Sequence, residues 1–155
     1  MPSVRYRTVF SECRRYRYVW THQWDLTIPS AMFVCLNPHE ADENNSDDIT
    51  SKCCTLARHW NLGGITMLNL FAYKTTVASV LSEISDPVGV NNDKWLKKMA
   101  NTTDMIIAAW GNHIDLAGRD THVCEILKYL YVIGDQGPIH PLQVSGLPEL
   151  KIWQI

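Results

Sequence analysis

Four short, nearly uninterrupted apolar runs, separated by stretches of helical periodicity, constrain this chain more than any other feature. They occupy residues 32–36 (MFVCL), 65–70 (ITMLNL), 105–110 (MIIAAW) and 130–133 (LYVI). A strand that is apolar at successive positions is buried on both faces, and that happens where helices cover a parallel sheet. Between the runs, Asp47 or Asp48 can cap a helix reaching about Trp60, with Leu56, Ala57 and Trp60 as its apolar stripe and Gly63-Gly64 ending it. Residues 77–84 and 91–100 repeat apolar side chains at helical spacing, and residues 120–129 are amphipathic. The expectation is an α/β fold in three αβα layers, with a mainly parallel sheet of about four core strands, in one domain over residues 1–155. With 46% hydrophobic and 19% charged residues, the 155-residue chain has a globular composition.

Other classes are disfavoured by what the chain carries. No run approaches the 18 apolar residues of a membrane span, and Arg5 and Arg7 are not followed by the apolar segment of a signal peptide. A cytoplasmic protein is expected. The five cysteines, Cys13, Cys35, Cys53, Cys54 and Cys124, have no metal-ligand spacing, so most are expected as small buried hydrophobes and no metal is implied. Neither GxxxxGK nor GxGxxG nor GxSxG occurs, which argues against a nucleotide motor, a Rossmann dehydrogenase and an ordinary α/β-hydrolase.

Charge is unevenly distributed. The formal net charge is −2, unlike a dedicated nucleic-acid binder, yet residues 5–17 hold Arg5, Arg7, Arg14, Arg15 and Arg17 against Glu12 alone. These arginines alternate with aromatic residues. They form either a stripe for a phosphate backbone, with Arg14, Arg15 and Arg17 as its contacts, or a solvated strand face partly neutralised by the acidic residues 40–48.

In an open parallel sheet, ligands bind outside the carboxyl ends of the strands. The residues there are Asn37-Pro38, Asn69 to Tyr73, Trp110 to His113 and the loop 137–142. Asn37, Asn69, Asn112, His113 and His140 are hydrogen-bonding groups, none of them a carboxylate base, and they suit a planar ligand with several donors and acceptors such as a nucleobase. Each also has a plainer explanation. Asn37-Pro38 can stop a strand, His113 can cap a turn, and His140-Pro141 can be structural, whereas Asn69 inside an apolar strand needs partners.

The chain resembles the bacterial and phage family catalogued as domain of unknown function 1643. The resemblance rests on Arg15-Tyr16-Arg17-Tyr18 with Trp24-Asp25, Leu36-Asn37-Pro38 with Ala41-Asp42, and Asp47-Asp48-Ile49-Thr50. It continues through Asn69-Leu70-Phe71-Ala72, Asp86-Pro87-Val88-Gly89 with Asn92-Asp93, residues 108–113, Gly118-Arg119 and His140-Pro141-Leu142. More distantly, the order of these segments is similar to the uracil-DNA glycosylase superfamily. That likeness implies a DNA glycosylase-like fold and excision of a nucleobase, possibly a modified one, without a cofactor. It implies that Asn37 positions the attacking water, Asn69 reads the flipped base, Trp110 ends a core strand beside the site, and His140 stabilises the departing base. Phe71 or Tyr73 would stack on that base, Leu142 would wedge into the DNA stack, and DNA would be the partner. Two alternatives stay open: a binder of nucleic acid or nucleobase without chemistry, and an enzyme on free nucleosides or nucleotides, for which Arg119 would clamp phosphate.

Overall fold

The computed structural model describes residues 4–39, 47–112 and 117–153. Its strands are β1 (Arg5–Phe10), β2 (Arg17–Gln23), β3 (Ala31–Cys35), β4 (Gly64–Asn69), β5 (Met105–Ala108), β6 (Tyr131–Ile133) and β7 (Leu150–Ile152). They form one sheet in the order β1-β2-β4-β3-β5-β6-β7. Neighbours β4, β3, β5 and β6 run parallel, and antiparallel pairings add β1 and β2 at one side and β7 at the other. The sheet is therefore mixed and has seven strands where about four were expected.

Of the three additional strands, β2 overlaps Tyr16 to Trp20, whose alternation of bulky and basic residues reads as a half-buried strand, and the unexpected two, β1 and β7, are the two edges. An edge strand need not be apolar, because one of its sides and much of its surface meet water. Arg5, Tyr6 and Arg7 are exposed accordingly, and β7 is only three residues long. Neither leaves a buried run to recognise.

The central strands show the double burial that their composition demands. Met32 and Val34 of β3 join one apolar cluster, and Ala31, Phe33 and Cys35 join another. The helices are α1 (Asp48–His59), α2 (Asn92–Ala100) and α3 (Arg119–Leu127). The first cluster takes Leu96 from α2 with Val123 and Leu127 from α3, and the second takes Ile49, Cys53, Leu56 and Ala57 from α1. Because strand side chains alternate in direction, α1 covers one face and α2 with α3 the other.

Two helix expectations need correcting. Residues 77–84 form only a short 3₁₀ helix, Ala78–Glu83, with Leu81 buried. The α1 helix ends at Trp60, and Asn61 (φ 60°) takes the left-handed position that Gly63-Gly64 was expected to fill. The two glycines serve close packing instead. A Cβ on Gly64 would stand 2.7 Å from the Gln23 Cα, and one on Gly63 would stand 2.0 Å from the Asp25 carbonyl oxygen. No helix among the described residues is long and apolar enough to cross a membrane.

Candidate functional site

Strands β3 and β4 end side by side, Cys35 opposite Asn69, and the chain beyond them opens a small cavity at their carboxyl ends. Arg17, Cys35, Asn37, Pro38, Asp47, Thr50 and Asn69 are among the residues lining its roughly 180 Å³, a volume that includes its opening to solvent. Only about 10 Å³ of it is free for the centre of a water molecule, room for about one water, so a larger planar guest enters only when the lining opens.

Asn37 is 3% exposed and its orientation is set by both of its amide hydrogens. Nδ2 donates to the Pro38 carbonyl at 3.1 Å and to the Thr75 carbonyl at 2.7 Å. Exchanging N and O would place an acceptor against two carbonyls, so the amide cannot be turned over. Its Oδ1 is left buried with no partner among the described residues. Asn69, 2% exposed, has the opposite surplus: its Nδ2 is buried with no partner among the described residues. Leaving a buried polar group unsatisfied costs about 1–3 kcal/mol. One acceptor and one donor thus line the same cavity, each able to bond a guest.

The third polar group is one that the sequence placed elsewhere. Arg17, grouped with Arg14 and Arg15 as a backbone contact, is 2% exposed and lines the cavity. That burial removes it from any phosphate backbone running over the surface. Burial lowers its pKa to about 10, against the opposing pull of Asp47 and Cys35, so the guanidinium stays charged at neutral pH. Asp47 closes the amino end of α1 by a reciprocal pair, accepting from the Thr50 N–H at 2.8 Å and donating its own N–H to the Thr50 hydroxyl at 3.0 Å. Both Arg17 and Asp47-Thr50 belong to the motifs quoted above, but nothing in their spacing announces a shared cavity.

Behind Asn69, motif residues of α2 and α3 converge on the end of β4. Buried Asn92 donates to the Asn69 and Leu70 carbonyls at 3.0 and 3.1 Å. Arg119 donates from Nε to the Leu70 carbonyl at 2.7 Å and pairs with Asp93 at 2.6 Å, so it is occupied as a tie between elements rather than as a phosphate clamp. His122 bonds the other Asp93 oxygen at 3.1 Å. Burial raises the Asp93 pKa, but its bonds to Arg119 and His122 outweigh this and hold the carboxyl below its usual range. A carboxylate with a depressed folded pKa adds stability that is fully present above its unfolded pKa and is lost as pH falls through the folded value. Asp93→Asn should therefore remove on the order of 1 kcal/mol at neutral pH, and its destabilising effect should shrink on acidification. Urea titrations of both proteins between neutral and acid pH test this, and a pH-independent difference would exclude it.

His140 caps the 3₁₀ turn Pro141–Gln143, its Nδ1 accepting the Leu142 N–H at 3.2 Å. In the neutral ring the hydrogen is then on Nε2. Burial, and next the charge of cavity-lining His39, lower its pKa, so the ring is neutral at neutral pH. A Cβ on Gly111, after β5, would lie 3.6 Å from the His140 Cβ, so loop 137–142 folds back over the end of that strand. Asn112 helps to hold this loop by donating to the Gln136 carbonyl at 2.6 Å. Leu142 is exposed on the turn. His113 lies outside the described residues.

Three aromatic candidates lie elsewhere. Trp110 is 2% exposed, meets Trp153 edge-on, and belongs to the α2/α3-side cluster. Phe71 packs against the same cluster, as does Tyr73, whose ring meets Tyr16 edge-on. None of the three lines the cavity, because the strands' alternation turns them to the opposite face or into the β4 exit. Arg14 and Arg15 are exposed and do not line the cavity. The Lys74 N–H donates to the Arg15 carbonyl, and the next residue, Thr75, donates to Pro38 and accepts from Asn37. Arg14 and Lys74 both lie against the Phe10 ring, at 4.1 and 4.9 Å.

A family model described as "Protein of unknown function (DUF1643)" matches residues 17–142, a span that holds the cavity's described lining and every tie behind it. No curated protein and no solved structure matches the chain.

Proposed function

The chain belongs to the DUF1643 family, whose activity is open, and from the cavity we propose a DNA glycosylase-like protein that takes a flipped nucleobase, normal or modified, and hydrolyses its N-glycosidic bond. The observation that carries this reading is the pair of buried amides, Asn37 and Asn69, that line one cavity, Asn37 Oδ1 and Asn69 Nδ2 having no partner among the described residues. An acceptor and a donor on the wall of one cavity are the kinds of group that the hydrogen-bonding edge of a nucleobase pairs with. Arg14 and Arg15 are exposed and supply positive charge that a nucleic-acid backbone could meet. The resemblance to the uracil-DNA glycosylase superfamily, with its αβα fold, adds the assignment of roles.

On this reading Asn69 Nδ2 donates to an oxygen or ring nitrogen of the base. Asn37 Oδ1 accepts a hydrogen bond from water and turns the water's lone pair toward C1′. The water oxygen bonds C1′ as the C1′–N bond breaks, and the electron pair leaves with the base. His140 is not among the residues lining the cavity, so on this reading loop 137–142 closes over the bound base before the Nε2–H of His140 donates to the base oxygen where that charge develops. The water's displaced proton passes to solvent, and the base anion takes one up. Asn37 is a weaker water-positioning group than a carboxylate, and this one feature favours the second reading, a binder that keeps the pocket without the chemistry.

The test is a panel of oligonucleotides bearing normal and modified bases, assayed in parallel for abasic product and for binding. Release of at least one base is expected. Asn69→Ala should narrow the ratio between best and worst substrates, since it removes an edge-reading donor. Tight binding of one base without release moves the assignment to the binder, and neither release nor binding overturns both readings.

A further inference from the structure

The edge strand β1 and helix α2 together carry a row of cations that the cavity does not use. Arg7 of β1 lies 5.5 Å from the centre of the Trp95 ring of α2, and Lys98 lies 4.8 Å from the same centre. Arg5 shares a strand face with Arg7, about 6.8 Å along β1, and Lys94 shares a helix face with Lys98, about 6 Å along α2. All four cations are exposed, and none enters an ion pair among the described residues. Contact with an aromatic face holds a cation in place without neutralising it. Arg7 and Lys98 are held in this way, with Arg5 and Lys94 beside them, and their charge is left for an outside anion in a chain whose net charge is −2.

We propose that this ridge, Arg5, Arg7, Lys94 and Lys98 around Trp95, binds the phosphate backbone of a nucleic acid. Regularly spaced cations match a ligand with regularly spaced anions better than a single phosphate. The position of the ridge supports the same partner. The first residue of α2, Asn92, is hydrogen-bonded to the carbonyl of Asn69, so Lys94 and Lys98 lie on the helix that starts directly behind the cavity. The amino end of α2 thus meets the end of β4 that carries Asn69, while the cavity itself is lined from the α1 side. This inference extends the assignment of Asn69 to base recognition, but its test is separable.

The experiment measures binding of labelled single-stranded and duplex oligonucleotides of mixed sequence by fluorescence anisotropy over a range of salt. The ridge is neutralised by Arg5→Gln, Arg7→Gln, Lys94→Gln and Lys98→Gln together, with Lys52→Gln on α1 as a charge control on the other face. Each phosphate contact contributes about 0.7–0.9 to the slope of log affinity against log salt, so the fourfold variant should flatten the slope by about 3, alike for all sequences. The control should flatten it by at most about one contact's worth. Matching thermal unfolding curves would show that the variant is folded. An unchanged slope would make the ridge a solvated guard of an open sheet edge, and binding to phosphatidylserine vesicles in place of oligonucleotides would make it a membrane surface. Either result overturns the proposal. If no base is ever released but the slope still flattens, the ridge stands and only the cavity reading falls.

Discussion

Gly63→Ala is expected to prevent stable folding. The residue precedes β4 and is wrapped by the turn that joins β2 to β3. Its carbonyl accepts the N–H groups of Trp24 and Asp25, each at 2.9 Å, and its own N–H donates to the Pro29 carbonyl at 2.7 Å. An added Cβ would sit 2.0 Å from the Asp25 carbonyl oxygen and 2.8 Å from the Ile28 Cγ1. The obstacle is backbone held by three hydrogen bonds, so relief means moving the turn and breaking some of them. A loss above about 4 kcal/mol is the expected scale, against the 5–15 kcal/mol that a domain of this kind has in total. Thermal unfolding followed by circular dichroism should show a melting temperature lowered by more than about 8 °C or no cooperative transition. A shift of only a degree or two would mean that the turn moves away freely. Gly118→Ala is the contrasting control, because nothing lies within 4 Å of a Cβ there and only its φ of +77° opposes the change.

The second large effect concerns chemistry. His140→Ala should slow single-turnover base release by on the order of 10²–10³, the usual loss for one preorganised donor, while oligonucleotide affinity changes little. The ring is suited to this because Nδ1 is held by the Leu142 N–H and the pKa is lowered by burial and by His39, which keeps Nε2 a neutral donor. Removing the ring also removes a turn cap, worth about 1 kcal/mol, so the assay belongs well below the melting temperature of both proteins. His140→Gln is the companion variant: it retains a donor and should recover part of the rate. Equal losses in binding and in release would assign His140 to uniform ligand binding instead of the transition state.

The candidate site was only partly legible in the sequence. Asn37 and Asn69 stand at the ends of apolar runs, and a polar residue at such a place is conspicuous because burial demands a partner for it. Arg17 was misplaced because its neighbours Arg14 and Arg15 are indeed on the surface. In local sequence it continues their pattern, and only the pairing of β2 with β4 carries it inward. Trp110, Phe71 and Tyr73 follow strand ends just as the two asparagines do. Which face each side chain takes depends on register and on how the chain leaves the strand, and neither is a property of composition. Arg119 resembled a phosphate ligand until β4 and α2 supplied the Leu70 carbonyl and Asp93.

By itself the sequence determined the inner strands, α1 with its Asp47 cap, α2, and the alternation that makes this an α/β fold. Those are local matters: double burial requires unbroken apolar runs, and a helix start needs its own acceptor within four residues. The tertiary structure alone decided the edges β1 and β7, whose strand state comes from pairing with a neighbour. It also decided the role of Gly63, where a distant turn takes the space of a side chain, and the meeting of Arg17, Asn37 and Asn69 in one cavity. Each of these depends on contacts between segments far apart in the chain, and such contacts exist only once hydrophobic burial has closed the sheet and brought its strand ends together.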